Sequence, residues 1–322
     1  MIVVTGAAGF IASCLISKLN ELNYNDLILV DDFSKVEKIK NYTNKKFTEK
    51  INREFFTDWL DINHKFVEFI FHLGARSDTT EFDWNILNTL NTEYTKVIWR
   101  KCSKYGIPLI YASSAATYGN GNMGFDDSVS PNLLSPLNLY GKSKNDFDKW
   151  SLVQLEKPYF HIGLKFFNVY GPNEYHKANM ASVIFHAFNQ INENKELKLF
   201  KSDIENIGHG EQKRDFIYVK DVVNIMIFFM NNRNKNFNGI YNIGTGTART
   251  FNELAKATFS AMNLTENIKY VEMPENIKNK YQYFTEAKIT KLRNIGYNEN
   301  FYSLEDGIFD YINNYLKIPQ NY

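Results

Sequence analysis

The chain has 322 residues, 37 Lys and Arg against 36 Asp and Glu, and a formal net charge of +1. That balance removes the electrostatic case for nucleic acid or an anionic membrane, and no run approaches the ~18 apolar residues of a membrane span. Two cysteines, Cys14 and Cys102, fall in helical patterns and read as reduced core thiols of a cytoplasmic protein.

Met1 leads directly into Ile2-Val3-Val4-Thr5, a short β-rich run, so no signal peptide is expected. Gly6-Ala7-Ala8-Gly9-Phe10-Ile11-Ala12 follows, then the helical pattern Leu15, Ile16, Leu19, Leu22. Strand, glycine turn and helix together form the arrangement in which backbone N–H groups receive a pyrophosphate. Asp26 to Val30 reads as a second strand that ends in Asp31-Asp32, where an acid meets an adenosine ribose. A basic, polar stretch comes next, with Lys35, Lys38, Lys40, Lys45 and Lys46. Most of these lysines read as a solvated loop. Lys38 is the best placed for a ribose 2′-phosphate, and Arg53 is a later candidate.

Phe69-Ile-Phe-His72 is a continuous apolar strand that runs into the small-residue loop Leu73-Gly-Ala-Arg-Ser77. Trp84 to Lys104, including Asn91, is helical. Leu109 to Ala112 is a strand that ends at Ser113-Ser114. Ser135-Pro-Leu-Asn138 then reads as a helix start. It places Tyr140 and Lys144, four residues apart, on one helix face. A neighbouring cation is expected to lower the phenol pKa towards neutrality, so that it exchanges a proton with an alcohol or ketone. Taken alone, Tyr-x-x-x-Lys is a frequent accident of an amphipathic helix.

The alternation of strands and helices predicts an α/β, Rossmann-type doubly wound parallel sheet. Its ligands sit at the carboxyl ends of the strands. Ile162 to Phe166 adds a strand, Ala181 to Asn192, Asp221 to Phe229 and Phe251 to Met262 add helices, and Ile240 to Ile243 adds a strand. The expected division is a cofactor domain of residues 1–167 with 216–245, and a smaller, mixed α/β substrate lobe of 168–215 with 246–322.

Gly6-x-x-Gly9, the Ser114 strand end and Tyr140-x-x-x-Lys144 together resemble the extended short-chain dehydrogenase/reductases that act on nucleotide-sugars. Several segments narrow the resemblance to the ADP-heptose 6-epimerase family. They are His72 to Glu81, Tyr111-Ala-Ser-Ser-Ala-Ala-Thr-Tyr-Gly119, Phe167 to Pro172, His176-Lys177 with Met180 to Val183, Lys213 to Val219 and Tyr281 to Thr285. The match runs from Met1 to about Leu316.

The resemblance implies a C6″ epimerase of ADP-heptose that feeds lipopolysaccharide inner-core assembly, with Tyr140 and Lys177 as acid/base groups, Lys144 as activator and Ser114 on the reacting oxygen. It implies one NADP per subunit, NAD remaining open because Asp31-Asp32 is more acidic than the family pattern. The cofactor would meet Gly6, Gly9, Phe10, Ile11, Asp31, Asp32, Lys38, Arg53, Leu73, Gly74, Ala75, Arg76, Ser77, Asn91, Lys144, Val169 and Lys177. The sugar nucleotide would meet Asn168, Asn179, His186, Phe200, Lys201, Ser202, Asp203, Arg214 and Tyr281. A homo-oligomer is implied, with a pentamer suggested. Ala12 replaces the usual third glycine, Asn179 a usual serine, and the stretch 203–212 is longer than the pattern.

By position alone Lys177 also reads as a solvated loop residue, Ser114 as a turn hydroxyl, and His186 and His72 as core histidines. Arg214, in Lys-Arg-Asp before a β-rich run, suits a diphosphate held bidentately. The histidines show no ligand spacing, so no metal is expected. Two rivals remain: a related enzyme such as a UDP-hexose 4-epimerase or a 4,6-dehydratase, and a non-catalytic NADP sensor. A dehydratase needs an acid pair where Ala115-Ala116 stands.

Overall fold

In this computed structural model residues 1–278, 281–318 and 320–322 are described, the side chains of 276 and 277 aside. The first half runs β1 (Ile2–Thr5), α1 (Phe10–Glu21), β2 (Leu27–Asp31), β3 (Glu49–Asn52), α2 (Phe56–Asn63), β4 (Phe69–His72), α3 (Trp84–Leu87), α4 (Tyr94–Tyr105), β5 (Leu109–Ser114) and α5 (Leu139–Leu152). A π-helical stretch, Asn88–Glu93, joins α3 to α4. The second half runs β6 (His161–Phe166), β7 (Asn168–Tyr170), α6 (Val183–Asn194), β8 (Leu197–Phe200), β9 (Lys213–Tyr218), α7 (Val219–Asn231), β10 (Gly239–Ile243), β11 (Ala248–Thr250), α8 (Phe251–Ala261), β12 (Ile268–Val271), α9 (Glu275–Lys278), α10 (Thr290–Asn294) and α11 (Leu304–Tyr311).

Side chains alternate across a strand, so a continuous apolar run feeds both faces of a sheet. That is what happens here. Val4, Leu29 and Phe71 join a core with α1 and α7, while their neighbours Val3, Ile28 and Ile70 join a second core with Trp99, Tyr111 and Phe147. The large sheet has the order β10-β6-β5-β4-β1-β2-β3, and every pair is parallel. It is the doubly wound sheet expected from the sequence. From β1 the chain moves outward to β2 and β3, then crosses to β4 on the other side of β1. The crevice of such a sheet opens where the order reverses, between β1 and β4.

A three-stranded sheet, β11-β9-β7, takes up the chain just past the ends of β6 and β10, and a two-stranded one, β12-β8, packs on α6 and α8. The polar stretch expected as loop after β2 contains a 3-10 turn, Val36–Asn41. Phe200, expected in a loop, closes β8.

The edges of the large sheet are finished by charge. Glu49 and Lys50 of β3 face solvent. On β10 the Asn242 N–H donates to Asp127 Oδ2 at 2.8 Å, and Lys291 Nζ donates to the Ile240 carbonyl at 2.8 Å. No helix among the described residues is long and apolar enough to cross a membrane.

Candidate active site at the sheet switch point

The glycine turn follows β1. Gly6 adopts φ +68°, and a Cβ there would lie 2.7 Å from the Gly74 backbone, so the loops after β1 and β4 approach as only glycine permits. Gly9 donates to the Gly6 carbonyl at 2.7 Å and opens α1. Phe10 and Ile11 begin that helix; no side chain caps it and its first turn holds no acid. Its N-terminal dipole is left for an anion.

Asp31 is buried, and its carboxylate braces this turn. Oδ2 accepts from the Ala8 N–H at 2.9 Å and Oδ1 from the Asp32 N–H at 2.7 Å. Lys38 Nζ lies 3.5 Å from Asp31, and an Arg53 nitrogen 3.9 Å from Asp32. The Ser34 hydroxyl and Arg53 hold the Asp32 carboxyl below its ordinary value. Lys38 and Arg53, distant in sequence, thus meet at the end of β2.

Across the crevice, Leu73 and Gly74 hang on Thr5, and Ala75, Arg76 and Ser77 are exposed. Asn91, expected at the cofactor, has its amide engaged within the protein. It accepts from Arg76 N–H at 2.8 Å and donates to the Arg76 carbonyl and the Ser143 hydroxyl, both at 3.0 Å. It is a bracket between this loop and α5. His72 is a core histidine, held between the hydroxyls of Thr5 and Thr95 and pushed by burial down to about 3.

The Asn138 side chain caps α5, accepting from the Gly141 N–H at 2.7 Å. A Cβ on Gly141 would lie 2.7 Å from the Ala116 carbonyl oxygen, so α5 rests directly on the turn after β5. That contact sets Tyr140 beside Ser114, whose Oγ also accepts from the Ala116 N–H at 3.1 Å. Lys144 Nζ donates to the Ala112 carbonyl at 2.9 Å.

The expected lowering of the Tyr140 pKa is corrected here. Burial raises it, against a smaller opposing pull from the Ser114 hydroxyl. The amine expected to lower it is itself drawn down to about 8 by burial, with Asp148 opposing. Burial, which a motif does not report, sets the direction.

Lys177 is half-buried, its Nζ 5.5 Å from the centre of the Phe10 ring at the start of α1. Burial lowers its pKa, and Glu174 opposes. This is not a solvated lysine. Glu174, fully buried, holds the loop together by accepting from the Ser182 N–H at 2.5 Å, the Ser182 hydroxyl at 2.7 Å and the Gly171 N–H at 3.3 Å. Next to Lys177, Ala178 sits at φ 46°, ψ −126°, a strained conformation for an alanine. Asn179 follows, exposed, and His186 is half-buried one helix turn into α6.

Asn168 and Val169 lie on β7, two and three residues past Phe166, which pairs with Ser114. Asn168 Oδ1 accepts from the Thr285 hydroxyl at 3.4 Å. Arg214 on β9 is buried. Its guanidinium lies 5.1 Å from the Tyr281 ring and 5.7 Å from Phe251, and donates to the Lys213 carbonyl at 2.9 Å. It has no carboxylate partner among the described residues, and burial lowers its pKa. Phe200 meets Tyr281 edge-on at 6.5 Å. Beyond it Lys201 pairs with Glu272 at 2.6 Å, the Ser202 N–H meets His209, and Asp203 faces Lys278 at 3.7 Å.

The sequence reading missed Asp148, Lys165 and Glu174. Asp148 carried one signal, its place a helix turn beyond Lys144. No group of three or more metal-ligating side chains occurs among the described residues.

The model of the NAD dependent epimerase/dehydratase family matches residues 2–244. The ADP-L-glycero-D-manno-heptose-6-epimerase of Fusobacterium nucleatum is 48% identical over the full length of both chains. The crystal structure of the Helicobacter pylori ADP-L-glycero-D-manno-heptose-6-epimerase superposes with a TM-score of 0.80 at 28% identity, covering 97% of this chain and 94% of that one. A UDP-N-acetylglucosamine 4-epimerase from Methanobrevibacter ruminantium shares the fold at TM-score 0.81 and 24% identity, covering 97% and 96%. With nearly half its residues identical along the whole length of such a relative, the chain belongs to the NAD dependent epimerase/dehydratase family and, within it, to the family of the ADP-L-glycero-D-manno-heptose-6-epimerases.

Proposed function

We propose that this chain interconverts ADP-D-glycero-D-manno-heptose and ADP-L-glycero-D-manno-heptose by oxidation at C6″ and re-reduction from the opposite face. Identity with the named epimerases supports the substrate class. The observation that carries the two-faced chemistry is Lys177, a half-buried amine seated on the first residue of α1. It is a proton-transfer group additional to Tyr140.

The crevice fits a nicotinamide dinucleotide: at Gly6 a Cβ would collide with Gly74, and α1 presents an uncapped N-terminus. When bound, the dinucleotide supplies a hydride acceptor and donor. Lys144 would hold its nicotinamide ribose, and Lys38 and Arg53 would hold the 2′-phosphate of NADP. Asp31 is occupied by backbone N–H groups, which weakens its claim on a bare ribose.

Ser114 would hold the C6″ oxygen, and Tyr140 and Lys177 would exchange its proton on opposite faces. Burial raises the Tyr140 pKa and lowers that of Lys177, which favours the neutral phenol at one and the free amine at the other. Arg214, a buried cation without a carboxylate partner among the described residues, suits the substrate diphosphate, with Tyr281 beside it and Phe200 against Tyr281. Asn168, Asn179 and His186 would meet the sugar. We assign these groups to a substrate lobe, 168–215 with 246–322, and the rest to the cofactor domain, in a homo-oligomeric protein. The Ala115-Ala116 step offers no acid for water loss, which disfavours a dehydratase.

The test is direct. The purified protein is incubated with each ADP-heptose isomer while the C6″ proton is followed by NMR, and the dinucleotide released on denaturation is identified. Interconversion with NADP released supports the reading. Turnover of UDP-hexoses alone removes it.

A further inference from the structure

Beneath the Ser114, Tyr140 and Lys144 group lies a buried ion pair that the reaction as described does not use. Asp148 is on α5, one turn beyond Lys144 and on the same face. Lys165 is on β6. Asp148 is fully buried and the Lys165 side chain is 2% exposed. Asp148 Oδ2 accepts from Lys165 Nζ at 2.8 Å and from the Ser113 hydroxyl at 2.7 Å, while the Tyr111 hydroxyl lies 3.4 Å from Oδ1. Lys165 Nζ also donates to the Thr117 hydroxyl at 2.6 Å. That hydroxyl in turn donates to the Ser114 carbonyl at 2.8 Å.

We propose that Asp148 is a positioning residue: one carboxylate ties the strand end carrying Ser114 to the helix carrying Tyr140 and Lys144, with Lys165 as its counter-charge. The inference deepens the epimerase reading and rests on it for the turnover experiments.

Two arguments support it. The ion pair itself is not needed for stability, because a buried ion pair gains little over its desolvation. An apolar pair, however, cannot hold the Ser113 hydroxyl, the neighbour of Ser114, in one direction. It also places no charge near Lys144. Of the groups facing Lys144, Asp148 and the neutral phenol Tyr140 are on its own helix, β5 offers the Ala112 carbonyl, and His72 on β4 is held neutral by burial. The π-helical stretch against α5 brings Asn91 and Thr92, both uncharged. Asp148 is therefore the fixed charge that acts on this amine, and Lys165 is the opposite charge paired with it.

The experiment uses three full-length variants and two readouts: kcat and KM on ADP-heptose, and titration of Lys144 by lysine-selective NMR, its signal assigned with Lys144→Arg. Ser113→Ala removes the tie and keeps both charges. It is expected to lower kcat roughly 10- to 100-fold, as misplacement of a reacting group does, with KM and the Lys144 titration unchanged. Asp148→Asn is expected to move the titration to lower pH and Lys165→Met to higher pH, each by about one pH unit. A purely structural pair would lower kcat without opposite shifts. If a single charge variant fails to fold, the neutral double variant Asp148→Asn/Lys165→Met, which also lacks the carboxylate, is to titrate Lys144 at lower pH than the wild type does. The proposal is overturned by wild-type kcat in Ser113→Ala, by shifts of the same sign or none, or by an unmoved or raised titration in the double variant. Absence of epimerisation in the wild type would remove the functional reading instead, and the NMR titration would still decide the charge arrangement.

Discussion

Gly141 rests on Ala116: a methyl group on the glycine would stand 2.7 Å from the carbonyl oxygen. The contact fixes how far the helix bearing Tyr140 stands from the strand end bearing Ser114. Gly141→Ala should force α5 outward at about 1–3 kcal/mol, the usual cost of overpacking. It should lower kcat by roughly 100-fold, as displacement of a reacting group by about 1 Å does, and leave dinucleotide affinity intact. Thermal unfolding and steady-state kinetics test this together. Wild-type kcat would mean that the contact does not set the catalytic spacing.

Tyr140→Phe keeps the ring, and Lys177→Met keeps most of the side-chain length while deleting the amine. Each should reduce epimerisation by roughly 10²–10⁴-fold, the range for a positioned acid or base. Dismutation of a 6-aldehyde analogue needs no inversion, so the two variants should differ from each other on it. A folded, dinucleotide-loaded Lys177→Met protein that epimerises at the wild-type rate would leave Tyr140 as the sole proton-transfer group.

Lys38 and Arg53 converge on the end of β2 although 15 residues separate them in the numbering of the chain. Lys38→Ala should weaken NADP binding and leave NAD binding nearly unchanged, so that preference shifts towards NAD. Titration calorimetry with both dinucleotides measures it. An unchanged NADP to NAD ratio would detach Lys38 from the 2′-phosphate.

Ala178 holds a positive φ beside Lys177. Such strain costs of the order of 1–3 kcal/mol, and glycine relieves it. Ala178→Gly should therefore raise Tm or leave it level, against the normal entropic penalty of introducing glycine. A clear fall in Tm would show that the conformation is unstrained.

His72 gives the fold an acid limit. An unfolded imidazole binds a proton near pH ~6.5, whereas burial keeps the folded one neutral down to about 3. Between these values the unfolded chain binds more protons, so stability falls as pH drops through the window. His72→Gln should flatten the decline of Tm between the two limits. An equally steep decline would place the acid sensitivity elsewhere.

The large sheet was legible because its strands are short, continuous apolar runs, and the glycine turn because strand, turn and helix adjoin in sequence. β3 was missed: in Glu49-Lys-Ile-Asn52 only Ile51 is buried, and no periodicity shows in four residues. Tyr140 and Lys144 were legible as a spacing, but the direction of the phenol pKa was not, since burial comes from packing. Asp148 and Lys165 look in sequence like ordinary charges on a helix and a strand. Their pairing depends on the register of β5 against β6. Asn91 likewise reveals its bracket only when the loop after β4 is folded back on it.

The charged finish on both edges of the large sheet has a consequence for self-association. An open strand edge is a template that recruits another strand, and inward-reaching charges are among the features that blunt it. On β10 the outward N–H of Asn242 and carbonyl of Ile240 are already claimed by Asp127 and Lys291, and β3 offers a short, charged strand. A continuous intermolecular sheet is thereby discouraged at either end. The same caps guard a long parallel sheet against runaway fibre growth.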